Sequence, residues 1–208
     1  GGGLTSQLMG STVLTWMRLQ GRAADSWGKP KPPDLWFVYR CNPNISFSET
    51  DKMGETMATF PYTVAFSYTQ DETNHFADLV LPEAIDLEST QLIRLGGTHY
   101  FEQFWDSQGW VLRQPVVKPQ GDARDFTWIS TELAKRTGLL EAYNTMINMG
   151  AAGLPLKTDK YDFSLDVTRA HSVEETWDAV CRAASADVTD GQADDGLAYF
   201  KEKGFRVK

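Results

Sequence analysis

The feature that most limits the fold is an alternation of apolar runs and polar helical segments between residues 35 and 82. Leu35-Trp36-Phe37-Val38-Tyr39 is short, continuous and rich in aromatic and β-branched side chains. A run of that length and composition predicts a strand buried on both faces. It stops at Cys41-Asn42-Pro43-Asn44, which is turn chemistry, because Pro43 biases Asn42 toward extended backbone. Ser48, with Asp51 three residues on, reads as a helix N-cap, and Met53, Met57 and Phe60 supply one helical face. Tyr62–Tyr68 predicts a second strand, Asp71–Phe76 a polar helical turn, and Leu79–Pro82 a third strand. Strand, helix, strand, helix, strand is the pattern of a parallel α/β sheet. Ligands of such sheets lie beyond the carboxyl ends of the strands. Those ends are Arg40–Ser46 and Ser67–Thr73.

The expected fold class is therefore α/β: a partial Rossmann-like, mostly parallel sheet with flanking helices. Upstream, Leu4–Arg22 carries apolar residues at helical spacing and runs into the breaker segment Gly28–Pro33. From Leu87 to Pro119, Gly96-Gly97 separates two β-like segments dense in aromatics, among them Tyr100, Phe104, Trp105 and Trp110. This reads as an irregular, strand-containing excursion on the domain surface. Asp122 opens a helix whose buried face is Phe126, Ile129, Leu133 and Leu140, with Gly138 as its C-cap. Residues 141–170 are loop-rich. Ser172-Val-Glu-Glu175 is a capping box before a helix carrying Val173, Trp177, Val180 and Cys181. A polar helix near Gly196–Lys203 completes a helical C-terminal connection. The acidic stretch Asp187–Asp195 is expected to be a solvated linker.

Composition narrows the chemistry. Among 208 residues, 20 are Lys or Arg and 28 are Asp or Glu, a formal charge of −8. That balance argues against a surface that tracks nucleic-acid phosphates. Cys41 and Cys181 cannot form a disulfide framework or a thiolate metal site. His75, His99 and His171 have no His or Cys partner at helical spacing, so no metal site is expected. No apolar run reaches the roughly 18 residues of a membrane span. No charged n-region of a signal peptide precedes Leu4, and the chain lacks an initiator Met, as a piece of a longer protein would. Glycine-rich phosphate loops and the Gly-x-Ser-x-Gly elbow are absent from the sequence. Cys41 stands where a nucleophile could sit, but only Arg40 is at hand to lower its pKa, so a small buried hydrophobe is preferred.

Three positions keep two readings each. The Asn42 amide either caps a turn or donates and accepts toward a ligand over the sheet edge. Ser67 begins a polar segment suited to a ribose or a purine edge, or to an ordinary helix start capped by Thr69 or Asp71. Asp125, in the first turn of its helix, either favours the helix N-terminus electrostatically or accepts from a guanine N1–H and amino group.

The runs Phe37-Val-Tyr-Arg-Cys-Asn-Pro43, Asp71-Glu-Thr-Asn-His-Phe-Ala-Asp-Leu-Val-Leu-Pro82 and Arg113-Gln-Pro-Val-Val-Lys-Pro119, then Gly121-Asp-Ala-Arg-Asp125, occur in that order. In that order they resemble the molybdopterin-dependent oxidoreductases of the dimethyl-sulfoxide-reductase superfamily. The Phe104-Trp105 region, Arg113-Gln-Pro115 and the tail near Phe200-Lys-Glu-Lys-Gly204 look most like one branch. That branch holds thiosulfate and polysulfide reductases and phenylacetyl-CoA:acceptor oxidoreductase. The resemblance is closest over residues 35–140.

The resemblance implies a much longer catalytic chain. Residues 1–140 would be the second half of an α/β domain, and residues 141–208 a connection toward a missing C-terminal β-barrel. It implies bis-molybdopterin guanine dinucleotide with molybdenum or tungsten, and an iron–sulfur cluster in a missing N-terminal domain. The parent enzyme would perform oxygen-atom or electron and proton transfer on a small substrate. Its partners would be an iron–sulfur electron-transfer subunit and a membrane-anchor subunit, in the bacterial periplasm or cytoplasm. Asn42, Ser67 and Asp125 carry over as cofactor-binding residues on the guanosine side, while no catalytic residue or metal ligand is expected in this piece. Ser67 stands where relatives often have Asp, and Ser89 where some have Lys, so Ser89 is not carried over. Two rivals remain: a non-catalytic α/β nucleotide-binding module using the same sheet edge, and an interaction domain docking through Tyr100–Trp110.

Overall fold

The computed structural model describes residues 34–46, 50–95 and 109–207. The expected Leu4–Arg22 helix, the Gly28–Pro33 breaker, the Ser48 cap and the aromatics Tyr100–Trp105 lie outside the described residues. The chain divides into two compact units, Gly1–Pro82 and Glu83–Lys208.

In the first unit the expected α/β alternation is present. Strand β1 (Trp36–Tyr39) leads through helices α1 (Pro43–Ser46) and α2 (Thr50–Met57) to β2 (Thr63–Ser67). A single 3₁₀ turn (Asn74–Phe76) then precedes β3 (Leu79–Pro82). The sheet order is β1-β2-β3 and both pairings are parallel, with Tyr39 opposite Phe66 and Ser67 opposite Pro82. Central β2 is buried from Thr63 to Phe66. β1 departs from the expected burial on both faces: Val38 is buried, but Phe37 is 50% and Tyr39 39% exposed. Among the described residues only one face of this strand is packed. Side chains alternate along a strand. Trp36, on the side of Val38, stacks on Phe60 at 4.8 Å and joins the buried Met53 and Met57 of α2. Phe37 and Tyr39 point the other way. Burying each methionine contributes about 1.5–3 kcal/mol.

The second unit is built on an antiparallel sheet. β4 (Gln91–Leu95), β5 (Gly109–Arg113) and β6 (Phe205–Val207) lie in that order, with Leu92 opposite Leu112 and Gly109 opposite Val207. β4 and β5 are the two β-like segments expected around Gly96-Gly97. They are not a surface excursion. Leu92, Trp110 and Leu112 are buried in the main core, against Val180, Cys181 and Ala184 of helix α5 (Val173–Val188) and Phe200 of α6 (Leu197–Lys203). Local periodicity shows that a segment is a strand but not what covers it. Gly109 is required where β5 meets β6, since a Cβ there would lie 2.5 Å from the Arg206 carbonyl oxygen.

Helix α3 (Phe126–Arg136) starts later than expected, because Asp125 and not Asp122 caps it. Gly138, at φ +73, lies just beyond its C-cap Thr137, as a terminating glycine should. Leu140 belongs to the next helix, α4 (Leu140–Met146), which runs on into a π turn ending near Gly150. The Ser172–Glu175 capping box is complete: Glu175 N–H donates to Ser172 Oγ at 3.1 Å, and Ser172 N–H donates to Glu175 Oε2 at 2.8 Å. The acidic stretch 187–195 is not a free linker. Asp190 pairs with Lys160, and Asp195 with Arg206. Just beyond the stretch, Leu197 N–H donates to Asp178 of α5 at 2.8 Å. No helix among the described residues is long and apolar enough to cross a membrane.

Candidate functional site

The carboxyl ends of β1 and β2 open into a small cleft of about 130 Å³. Arg40, Cys41 and Asn42 line it from β1, and Ser67, Tyr68, Thr69, Asp71 and Asn74 from β2 and the turn after it. Asn42 and Ser67 are thus brought together, at the edge where parallel sheets take their ligands.

The two loops are sewn to each other by side chains. Thr73, fully buried, donates its hydroxyl to Asn42 Oδ1 at 2.6 Å and accepts from Asn44 N–H at 3.0 Å. Asn42 Nδ2 donates to Glu72 Oε2 at 2.8 Å. That bond is the main reason the Glu72 carboxyl titrates below its ordinary range. The amide therefore has a structural task and still retains one N–H and one lone pair for a ligand. Asn44 is also buried; its Nδ2 reaches the Glu72 carbonyl at 3.3 Å and its Oδ1 has no partner.

Ser67 is more committed. Its hydroxyl donates to the Thr69 carbonyl at 2.7 Å and accepts from Asn74 Nδ2 at 3.0 Å. It also accepts from Thr69 N–H at 3.4 Å, so its proton and both lone pairs already have partners within the loop. Asp71 holds the turn by accepting from Thr73 N–H at 2.9 Å and Asn74 N–H at 2.7 Å. Asp78 accepts from Thr63 N–H at 2.7 Å and anchors the start of β2. Within the run Asp71–Pro82, Asp71 both builds the loop and lines the cleft, whereas Asp78 only anchors β2.

Cys41 is exposed, not the small buried hydrophobe expected. Desolvation pushes its thiol pKa up and the Asp71 charge adds to the rise, against a backbone hydrogen bond at Tyr39 that lowers it. Arg40 is the residue that local reasoning undervalued. It has φ +46, and its guanidinium carbon lies 5.6 Å from the Tyr39 ring centroid and 5.8 Å from that of Tyr68. Nothing in the letters Tyr-Arg-Cys announces a left-handed arginine. Thr73 was missed because its partners lie 29 and 31 residues away.

Asp125 belongs to the second unit and does not line this cleft. Its Oδ1 accepts from Thr127 N–H at 2.8 Å and its Oδ2 from Thr90 N–H at 3.1 Å. It caps α3 and ties down the start of β4. Among the described residues no three His, Cys, Asp or Glu side chains group to hold a metal ion.

A family model described as molybdopterin oxidoreductase matches residues 19–136, more than half of the chain. The chain belongs to the molybdopterin oxidoreductase family. The superfamily resemblance drawn from the strand-end motifs is therefore borne out. Over 117 residues the chain is 31% identical to the probable oxidoreductase YyaE of Bacillus subtilis, covering 54% of this chain and 16% of that protein. It is 29% identical over 116 residues to the thiosulfate reductase molybdopterin-containing subunit PhsA of Salmonella typhimurium, covering 55% and 14%. It is 28% identical over 212 residues to the arsenate respiratory reductase molybdopterin-containing subunit ArrA of Chrysiogenes arsenatis, covering 98% and 24%. This molybdopterin oxidoreductase chain thus spans at most 24% of the length of these curated relatives.

The Asn42 amide, with one N–H and one lone pair to spare, is the group of this cleft best able to meet a ligand. In this molybdopterin oxidoreductase chain the cleft volume is below the roughly 300 Å³ at which pockets enclose a whole ligand.

Proposed function

We propose that this chain is an internal piece of the catalytic subunit of a molybdenum or tungsten oxidoreductase. Its β1/β2 cleft forms part of the guanosine-side wall for bis-molybdopterin guanine dinucleotide. Residues 1–140 are the second half of one α/β domain, and residues 141–208 connect toward a C-terminal β-barrel. The parent holds an iron–sulfur cluster in an N-terminal domain and passes electrons to an iron–sulfur subunit, with a membrane anchor beyond it. It moves an oxygen atom, or electrons and protons, to or from a small substrate. The bound cofactor supplies that redox chemistry. In this reading Asn42 binds the nucleotide end with its remaining N–H and lone pair, Ser67 by exchanging one of its loop bonds for the ligand, and Asp125 by a lone pair left over from its backbone partners, not as part of the cleft lining.

The observation that carries this reading is the cleft: a polar, partly preorganised wall at the carboxyl ends of parallel strands, in a chain of this family. The named relatives PhsA and ArrA are molybdopterin-containing subunits, which supports the presence of further subunits. The test is pterin retention by the full-length protein carrying Asn42→Ala. A folded variant that retains clearly less pterin than wild type supports the assignment. Undiminished retention removes Asn42 from it. The rival nucleotide-binding module predicts tight GDP binding by the 208 residues alone, whereas a single wall binds GDP weakly.

A further inference from the structure

The Asn42 amide is gripped at both of its ends by two consecutive residues, Glu72 and Thr73, neither of which lines the cleft. Thr73, fully buried, accepts from Asn44 N–H at 3.0 Å and donates to Asn42 Oδ1 at 2.6 Å. Glu72 Oε2 accepts from Asn42 Nδ2 at 2.8 Å. The two grips differ in kind. A hydroxyl both donates and accepts, so Thr73 by itself would hold the amide either way round. An ionised carboxylate only accepts, so Glu72 admits a single orientation, with the Asn42 N–H toward it. The bond from Asn42 holds the Glu72 carboxyl below its ordinary range, so it is ionised at neutral pH.

We propose that Glu72 is a positioning residue for the ligand of this cleft: it decides which way round the Asn42 amide, held by Thr73, presents its spare N–H and spare lone pair; this rests on the cofactor reading above. Glu72 does so without touching the ligand. It is exposed, and its one side-chain partner in the cleft lining is Asn42. Turning the amide over exchanges its donor and its acceptor, so each then meets a ligand group of its own kind. Both ligand bonds are lost together, although no side chain has left the site.

The experiment is isothermal titration of the full-length protein, purified from a host that makes no pterin, with guanosine. An uncharged probe keeps the charge changes at position 72 from acting on the ligand directly. Glu72→Gln offers a donor as well as an acceptor, leaves both amide orientations open, and is expected to weaken guanosine about twofold. Glu72→Lys offers donors only, turns the amide over, and is expected to weaken guanosine about tenfold. Neither change should weaken guanosine further in an Asn42→Ala background, where a merely structural effect on the loop would persist. Residue 72 is exposed, so both variants should melt with wild type, and the isosteric Glu72→Gln carries the test if lysine lowers the melting temperature. Wild-type affinity in both Glu72 variants, with Asn42→Ala weaker, shows that Asn42 meets the ligand without being set by Glu72; the proposal is then overturned and the cofactor reading stands. A loss at Glu72 that persists in the Asn42→Ala background gives Glu72 a role apart from the amide and overturns it as well. If Asn42→Ala binds as wild type does, or wild type binds no guanosine, the proposal and the part of Asn42 in the cofactor reading fall together.

Discussion

The contact most open to quantitative attack is the one between Asn42 and Thr73, which joins the loops after β1 and β2. Thr73 is fully buried, and its hydroxyl donates to Asn42 Oδ1 at 2.6 Å. Asn42→Ala leaves that hydroxyl without an acceptor where no water reaches it, at a cost of about 1–3 kcal/mol. The lost bond to Glu72 adds little, because the carboxylate is exposed. Thr73→Val removes the donor and also the acceptor for Asn44 N–H, again about 1–3 kcal/mol. The double variant loses the shared bond once, so its destabilisation should fall short of the sum by about 1 kcal/mol. Urea denaturation of the four proteins reads this directly as shifts in midpoint at constant m-value. Additivity within about 0.3 kcal/mol would mean that the two loops are not coupled through this pair and would refute the account of how the cleft is held open.

Other consequences concern the second unit. Gly109→Ala should detach β6, because the new Cβ would sit 2.5 Å from the Arg206 oxygen; loss of amide protection at Arg206 and Val207 in hydrogen exchange checks it. Asp125→Ala removes the N-cap of α3 and the tether to Thr90, and should lower stability by about 1–2 kcal/mol in thermal melts. The capping box predicts a specific acid limb. Glu175 is held down to about 2 from an ordinary 4.5, first by the Arg169 guanidinium and then by Ser172 N–H. Its folded-state pKa is depressed, so its stabilisation is complete above pH 4.5 and disappears as pH falls through about 2. Glu175→Gln should flatten the loss of α5 helicity in that window, measured by circular dichroism.

The sequence and the structure agree where the signal is local. Three short apolar runs bounded by Asn-Pro, polar and Pro segments became three parallel strands. The Ser172–Glu175 spacing became a complete capping box. Where the signal is non-local, the letters were silent. β6 is only three residues long, and its pairing with β5 links positions nearly a hundred apart. The burial of Trp110 depends on α5 and α6, which no window around Trp110 contains. Site residues divide the same way. Asn42 and Ser67 could be placed at strand ends from pattern alone. The roles of Thr73 and Arg40 could not, since one depends on a partner 31 residues away and the other on a backbone angle arginine seldom adopts. Asp125 shows how a helix cap and a ligand carboxylate look identical in sequence, and its two backbone partners account for its position without a ligand.

The role proposed for this cleft is a wall for a pterin guanine dinucleotide in a metal-dependent oxidoreductase. Metal and pterin analysis of the purified full-length protein tests it most directly. The account predicts molybdenum or tungsten bound with two pterins per metal, released as fluorescent pterin on acid oxidation, together with guanine nucleotide on hydrolysis. A well-folded full-length protein that holds neither metal and yields no pterin, from a host able to make the cofactor, would contradict it.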